Sequence, residues 1–124
     1  MLGEGTGVLV WLGVTQLQRA CDFYGKTLGL VLDYQNDEAG WAELRHPASG
    51  TRVGLRLTDE DELNPAGGAT LVFDVQNLKV SMRELEKQEV LFLTGEMNLN
   101  GFRFATFVDP DGNNLQLRQA DGGS

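Results

Sequence analysis

The stretch "FATFVDPDGNNLQL", residues 104–117, predicts two antiparallel strands joined by a tight turn. Pro110 presets its own φ, and Asp109 can accept hydrogen bonds from nearby backbone NH groups. Gly112 tolerates the positive φ that a tight turn often needs. These three residues therefore place the chain reversal between two runs that have the composition of strands.

The returning strand is predicted to bury one face. Leu115 and Leu117 alternate with Gln116 and Arg118, and successive side chains of a strand point to opposite faces. Gln116 therefore lies on the face away from the core. It either supplies a hydrogen-bonding wall to a ligand site or is a polar residue without a role, and the strand alone leaves both open.

Working outward from the hairpin, the order of elements occurs twice along the chain. The first half predicts a helix from about Gln16 to Leu28, stopped by Gly29, and strands at Val8–Val14, Leu30–Gln35, Trp41–Arg45 and Thr51–Leu57. The second half predicts a helix over Leu78–Gln88, capped by Asn77, and strands at Thr70–Val75, Val90–Thr94, Phe102–Val108 and Asn114–Arg118. Val75 follows Val14 by 61 residues (75 − 14), and Pro110 follows Pro47 by 63 (110 − 47). These near-equal offsets indicate a duplicated βαβββ unit.

The predicted fold class is α+β, with two βαβββ modules in tandem. One module can cover only one face of its sheet with its helix, so we expect two modules to form a curled mixed sheet around a trough, with the helices on the outer face. Such a trough is the natural place for a ligand. The expected boundaries are a first module at 1–57, a linker at 58–68, a second module at 69–120 and a disordered tail at 121–124.

Composition and charge exclude several functional classes. The formal net charge of −8 argues against nucleic acid and against an anionic membrane surface as partners. No apolar run approaches the roughly 18 residues of a membrane span, and the start lacks the features of a signal peptide. A cytoplasmic protein is therefore expected. The single cysteine, Cys21, is expected to be a buried small hydrophobe, and the single histidine, His46, a turn residue.

Two longer stretches carry a family resemblance that covers nearly the whole chain. "VTQLQRACDFYGKTLGL" (14–30) is similar to the first strand-to-helix passage of the vicinal oxygen chelate superfamily, and 104–117 is similar to its closing hairpin. That superfamily includes glyoxalase I, bleomycin-resistance proteins and extradiol dioxygenases. Neither stretch is catalytic, so the resemblance specifies the fold much more strongly than the function.

The resemblance also implies where a metal would bind. Enzymes of that superfamily usually place His, Glu or Gln around a divalent metal at four trough-facing positions, which the repeat maps here onto Leu9, Gly54, Thr70 and Gln116. Leu9 and Gly54 have no side-chain donor, and the other two are neutral and weak ligands. A shift of one residue would move each position to the helix-packed face. We therefore expect no metal and no other cofactor.

Strand parity predicts the residues that line the trough, except along 41–45 and 102–108, where both faces carry apolar residues and we choose the face of Trp41, Glu43, Phe104 and Thr106. Trp11 is the most informative, because its neighbours of opposite parity already supply the core; it either presents a flat surface to a planar ligand or plugs the trough. Arg56 either clamps an anion or points into solvent. Glu43 is the candidate general base if any catalysis occurs. The predicted ligand-binding set is Leu9, Trp11, Trp41, Arg56, Thr70, Phe104, Thr106 and Gln116.

Three functions are consistent with these residues. The leading hypothesis is a metal-free protein of the bleomycin-resistance type that sequesters a small organic molecule without chemistry. The second is a lyase, isomerase or dioxygenase-type enzyme with non-standard site residues, and the third is a regulatory or assembly module with a vestigial trough. The charge of the ligand is left open. A homodimer is expected, because short modules leave sheet edges and small members of the family often pair.

Overall fold

The computed structural model describes residues 1–5, 7–63 and 69–120. The chain divides into two compact units, Met1–Leu63 and Asn64–Ser124. The expected tail and the 64–68 part of the expected linker lie outside the described residues. Within the described ranges, no helix is both long enough and apolar enough to cross a membrane.

The first module has the predicted βαβββ order. It contains β1 (Leu9–Val14), α1 (Leu17–Asp22), β2 (Val31–Asn36), β3 (Trp41–Arg45) and β4 (Arg52–Leu57). The sheet order is β1-β4-β3-β2, with β1 parallel to β4 and the other pairs antiparallel. After β4, a short 3₁₀ turn at Glu60–Glu62 carries three consecutive acidic residues, all of them exposed to solvent.

The first helix is longer than α1 alone, because a π-helical turn at Phe23–Thr27 continues it. Gly29 ends this segment with a φ of +86°, a conformation that favours glycine, and the NH of Leu30 donates to the carbonyl oxygen of Tyr24. The predicted helix and its stop are therefore confirmed. Cys21 is buried, as expected, and burial, followed by the charges of Asp22 and Asp37, raises the pKa of its thiol.

The second module repeats the order. It contains β5 (Leu71–Asp74), α2 (Leu78–Lys87), β6 (Met97–Leu99), β7 (Phe102–Val108) and β8 (Asn114–Ala120). The sheet order is β5-β8-β7-β6, and β5 is parallel to β8. Asn77 caps α2 as predicted, since its side chain accepts a hydrogen bond from the NH of Val80 at 3.1 Å. The α+β fold with two mixed sheets is thus confirmed.

The predicted strand at Val90–Thr94 is wrong. This segment makes only an isolated bridge, between Phe92 and Phe107, and the edge strand β6 lies further along the chain. The side chain of Thr94 accepts the hydrogen bond from the NH of Thr106, so a hydroxyl replaces the backbone carbonyl and the ladder stops there. The chain pairs again with β7 only at Met97.

Both hairpin turns behave as their residues predict. Asp109 is only 3% exposed, and its carboxylate accepts hydrogen bonds from the NH groups of Asp111 and Asn113, each at 2.9 Å, and from the amide of Asn113 at 2.8 Å. In the first module, Nδ1 of His46 accepts a hydrogen bond from the NH of Ser49 at 3.1 Å. His46 is therefore a turn residue, as expected.

In each module one face of the sheet is buried against the helix. The buried strand residues of the first module alternate along the strands and include Leu12, Val14, Ala42, Leu44, Val53 and Leu55. The Cβ position of Gly25, in the π-helical turn, lies 3.8 Å from Leu44 Cδ2, which identifies the helix side of this sheet. In the second module, the side chain of Gln119 accepts a hydrogen bond from the NH of Leu78 at the start of α2. Residues of the opposite parity lie on what we call the helix-free face of each sheet.

Candidate functional site

The helix-free face of the first module carries a cluster that we call the indole platform: Trp11, Trp41, Glu43, Gly54 and Arg56. The strand register brings these residues together. Trp11 lies opposite Gly54, which also pairs with Glu43, and Trp41 lies opposite Arg56. Residues paired across neighbouring strands have Cβ atoms roughly 5 Å apart, so their side chains contact one another.

The Trp41 ring packs directly against Gly54. A Cβ atom built on Gly54 would lie 2.7 Å from Cζ2 of Trp41, closer still to Cη2, and 3.1 Å from Cβ of Trp11. The Trp41 indole therefore lies directly on the backbone of β4. A glycine at this position leaves the ring room to lie low on the sheet, and any side chain would displace it.

Glu43 fixes the orientation of that ring. The indole Nε1 of Trp41 donates a hydrogen bond to Oε2 of Glu43 at 2.8 Å. The ring's only polar group is thus satisfied inside the platform. Trp11, by contrast, is 50% exposed. The platform presents apolar aromatic surface to whatever approaches it.

Arg56 stands beside the exposed indole. Its guanidinium carbon lies 5.6 Å from the centroid of the Trp11 ring, within the range of a cation–π interaction. The side chain is exposed, and none of the ion pairs among the described residues involves it. A guanidinium in this position can bind an anionic group at the edge of the aromatic surface.

The helix-free face of the second module forms a shallow groove. Its volume is about 460 Å³. The groove is lined by Val72, Leu99, Asn100, Phe102, Phe104, Gln116 and Arg118. Beside it, the amide nitrogen of Gln116 donates to the hydroxyl of Thr106 at 3.3 Å across β7 and β8. The groove is therefore mainly apolar, with two amides and one guanidinium.

Arg118 is held in place within this groove. Its Nε and Nη2 donate to the two carboxylate oxygens of Asp74 at 2.7 and 3.2 Å, and its guanidinium lies 4.2 Å from the centroid of the Phe102 ring. The hydrogen bond that Arg118 donates to Asp74 raises the pKa of Arg118 above its ordinary value. This bidentate pairing neutralises the charge of Arg118.

The structure brings together most of the sequence-predicted site residues, within each module. Trp11, Trp41 and Arg56 meet in the indole platform together with Glu43. Phe104 and Gln116 line the second module's groove, and Thr106 adjoins it. The remaining two are peripheral in their modules. Leu9 is half-buried at the start of β1 opposite Arg52, and Thr70 is exposed just before β5.

Sequence reasoning missed several groove residues, namely Leu99, Asn100 and Phe102. The signal was present in the dipeptide Asn100-Gly101, which has φ values of +52° and +80° and joins β6 to β7. Asn-Gly between two apolar runs is the strongest short-range indication of a β-hairpin. Gly54 was interpreted only as a lost ligand, whereas it supports the Trp41 ring.

The residues at the four positions onto which the resemblance maps a metal are poorly suited to bind a divalent metal. The space above Gly54 is filled by the Trp41 indole, and Leu9 offers only hydrocarbon. The amide of Gln116 is turned toward Thr106. Across the part of the chain that the structure describes, no three His, Cys, Asp or Glu side chains are grouped so that they could hold a metal ion.

Comparison with known proteins identifies relatives of the same architecture. The family model described as Glyoxalase/Bleomycin resistance protein/Dioxygenase superfamily matches residues 8–117. Among solved structures, the antibiotic-binding protein TnmS3 from Streptomyces sp. CB03234 has a TM-score of 0.79 and 24% identity, covering 94% of this chain and 97% of that one.

A glyoxalase family protein from Bacillus anthracis has a TM-score of 0.76 and 18% identity, over 94% of this chain and 96% of its own. An integron cassette protein from the Halifax Harbour sewage outfall metagenome has a TM-score of 0.76 and 21% identity, over 94% and 98%. No curated protein matches the sequence. At these identities the structural likeness establishes the fold alone.

Proposed function

The chain belongs to the Glyoxalase/Bleomycin resistance protein/Dioxygenase superfamily, and we propose that it binds a small planar organic molecule without the help of a metal ion. The observation that carries this proposal is the indole platform, where a half-exposed Trp11 and a fixed Trp41 share one face of the first module. The similarity in fold to an antibiotic-binding protein supports it.

The platform would bind its ligand by stacking and burial. A planar ring placed on Trp11 gains about 0.5–1.5 kcal/mol beyond the buried area. Trp41 enters this complex already oriented by Glu43, so little side-chain entropy is lost at that ring on binding. In this proposal Glu43 is a positioning residue rather than a general base, since one carboxylate oxygen is engaged by the indole.

The proposal also covers the second module, the module boundaries and the location of the protein in the cell. Phe104, Thr106 and Gln116 would offer a second apolar and hydrogen-bonding surface, with Leu9 and Thr70 at the periphery of their modules. We retain the boundaries 1–57, 58–68, 69–120 and 121–124, and a cytoplasmic location, as parts of the same proposal.

The direct test uses the two tryptophans as reporters. The chain has only two, so a ¹⁵N-labelled sample gives two indole NH resonances, which single Trp→Phe variants assign. A compound library is first screened for thermal stabilisation. Hits should shift both indole resonances at the concentrations that raise the melting temperature. Hits that stabilise the protein while leaving both resonances in place would contradict the proposed site.

Metal content is the first prediction. Protein purified without chelator should carry well under one equivalent of Zn, Ni, Mn or Fe per chain, because Leu9 and Gly54 have no donor atoms and Gln116 binds metals weakly. Gln116→Glu alone should not raise this content, since the other ligands would still be missing. Elemental analysis checks both proteins, and about one tightly held metal per chain in the wild type would refute the assignment.

A homodimer is the second prediction. Short sheets leave β1, β2, β5 and β6 as edges within their own sheets, and Leu91, Leu93 and Leu99 are each more than half exposed. Pairing with a second copy would cover such edges and apolar side chains. Light scattering at micromolar concentration should give twice the chain mass of 13.6 kDa. A monomer mass under these conditions would count against the dimer.

A further inference from the structure

We infer that the ligand of the indole platform carries a carboxylate, and that Arg56 binds it. This inference rests on the proposed function, because it names the chemical class of the molecule that the same platform takes. The sequence left the ligand's charge open, since an acidic protein favours a cation and the arginines favour an anion. A comparison of the two modules decides between these alternatives.

Arg56 and Arg118 occupy equivalent positions. Arg56 pairs with Trp41 across β3 and β4, and Arg118 pairs with Phe104 across β7 and β8. Each module thus places an aromatic ring and a guanidinium opposite one another on its helix-free face. The duplicated fold therefore allows a direct comparison, because the same strand pairing surrounds Arg56 and Arg118 while the neighbouring side chains differ.

The two arginines differ in their partner on the parallel strand. Arg118 faces Asp74 on β5 and holds it with two hydrogen bonds. The residue that faces Arg56 on β1 is Gly13, which has no carboxylate. A Cβ atom there would lie 3.2 Å from Oγ1 of Thr58, so an acidic side chain does not fit without rearrangement. In the second module Asp74 is the anionic partner of Arg118, whereas in the first module the anionic partner of Arg56 would be a ligand.

The other charges of this face do not neutralise Arg56. Glu43 accepts the hydrogen bond of the Trp41 indole, and Arg45 is paired with Asp33 at 3.1 Å. Arg52 adds a second positive charge on β4, four residues away. Glu43 keeps its negative charge, so what distinguishes Arg56 from Arg118 is that Arg56 takes part in no ion pair among the described residues. At physiological salt the screening length is about 8 Å, so a bound anion responds mainly to these near charges.

The geometry favours a carboxylate over a phosphate. A guanidinium binds one carboxylate through two parallel hydrogen bonds, which a single arginine can supply. A phosphate ester carries up to about two charges. Among the described residues, Arg56 is the one whose guanidinium lies over the Trp11 ring, and Arg52 is about 13 Å further along the strand. A planar aryl carboxylate would therefore stack on Trp11 and direct its carboxylate to the adjoining guanidinium.

The test compares two probes of the same shape, naphthoate and naphthamide, by indole NH titration. The wild type should bind naphthoate about fivefold more tightly than naphthamide, the size expected of a solvent-exposed charge pair. Arg56→Gln should abolish this preference, so that naphthoate and naphthamide bind with equal affinity. The matched control is Arg118→Gln, the same substitution at the equivalent position, which should preserve the preference. Raising the salt concentration should reduce the preference in the wild type and in Arg118→Gln, because both keep Arg56.

The outcomes separate this inference from the function on which it rests. If both probes bind with equal affinity, the carboxylate assignment is wrong while the platform still binds planar molecules. The same holds if naphthoate still binds more tightly than naphthamide after Arg56→Gln. If neither probe moves the indole resonances, the platform does not bind such molecules, and both proposals fail. Loss of the preference in Arg118→Gln but not in Arg56→Gln would move the anion site to the second module.

Discussion

Replacing Gly54 with valine is expected to abolish binding of planar ligands to the first module. The new side chain would occupy the space where Cζ2 of Trp41 now lies 2.7 Å from the Cβ position, so the indole must leave the sheet surface. Its hydrogen bond to Glu43 would be lost with it. We expect affinity to fall by at least about tenfold, since stacking and buried area disappear together.

The same change should also cost stability. Inserting carbon atoms into a filled space typically costs about 1–3 kcal/mol in the free energy of unfolding. Valine has a higher strand propensity than glycine, so a loss of stability would come from the steric clash and not from the backbone. Chemical denaturation measures the stability, and titration of the Trp11 and Trp41 indole resonances measures the binding.

Two controls separate the steric effect from a general one. Gly95→Val adds the same side chain at a glycine whose Cβ position has no neighbour within 4 Å, and it should change neither quantity. Gly54→Ala should show an intermediate loss, because it adds one carbon. If Gly54→Val binds the hits of the wild-type screen with unchanged affinity, Trp41 has no part in the site.

Much of the fold follows from local rules that operate over a few residues. Gly29 ends the first helix, Asn77 caps the second, and Asp109 organises the closing turn through three hydrogen bonds. Each of these depends on side chains and backbone groups that are neighbours in sequence. The alternation of apolar residues then fixes which face of each strand is buried, since a shift of one residue would expose the whole set.

The features that sequence reasoning missed depend on contacts between distant residues. The strand at Val90–Thr94 had the right composition, but the hydroxyl of Thr94 takes the place of a backbone acceptor twelve residues from its partner, Thr106. The pair Asp74–Arg118 joins residues 44 apart in the sequence. Neither contact can be predicted from a short stretch of sequence, because strand pairing brings together residues that are far apart in the chain.

The site shows the same division. Strand parity placed Trp11 and Arg56 on one face, since the side-chain period of a strand is two. For Trp41 parity left both faces open, because apolar residues occur on both faces of that strand. Parity could not show that the Trp41 ring packs against Gly54, because that contact depends on the conformation of the Trp41 side chain on the neighbouring strand. Gln116 donates a hydrogen bond to the hydroxyl of Thr106 on the neighbouring strand, a contact that parity could not show either.

Replacing Trp11 with alanine is expected to weaken binding of a planar ligand about tenfold or more while the protein stays folded. The indole is 50% exposed and lies on the helix-free face, so its removal opens no cavity in the core. Full burial of a large apolar side chain is worth about 1.5–3 kcal/mol, so half-burial predicts a stability loss of about 1 kcal/mol. The binding loss is larger because the ligand would lose both the stacking and the area that it buries against the ring.

The equivalent position of the second module provides the matched control. Val72 faces Gln116 across β5 and β8 as Trp11 faces Gly54 across β1 and β4, and Val72→Ala should leave binding to the platform unchanged. Trp11→Phe should recover part of the affinity, because a smaller aromatic ring still stacks. Gln116→Leu should cost less than Trp11→Ala, about 0.5–1.5 kcal/mol at most, which is the worth of one hydrogen bond.

Calorimetric titration with one library hit, together with circular dichroism of each variant, measures these effects. If Trp11→Ala leaves no folded protein, the ring belongs to the core, and Trp11→Phe should then restore stability and affinity together. If the alanine variant is folded and binds as tightly as the wild type, the ligand lies elsewhere. The titration of the alanine variant therefore decides whether a ligand binds at the half-exposed Trp11 ring.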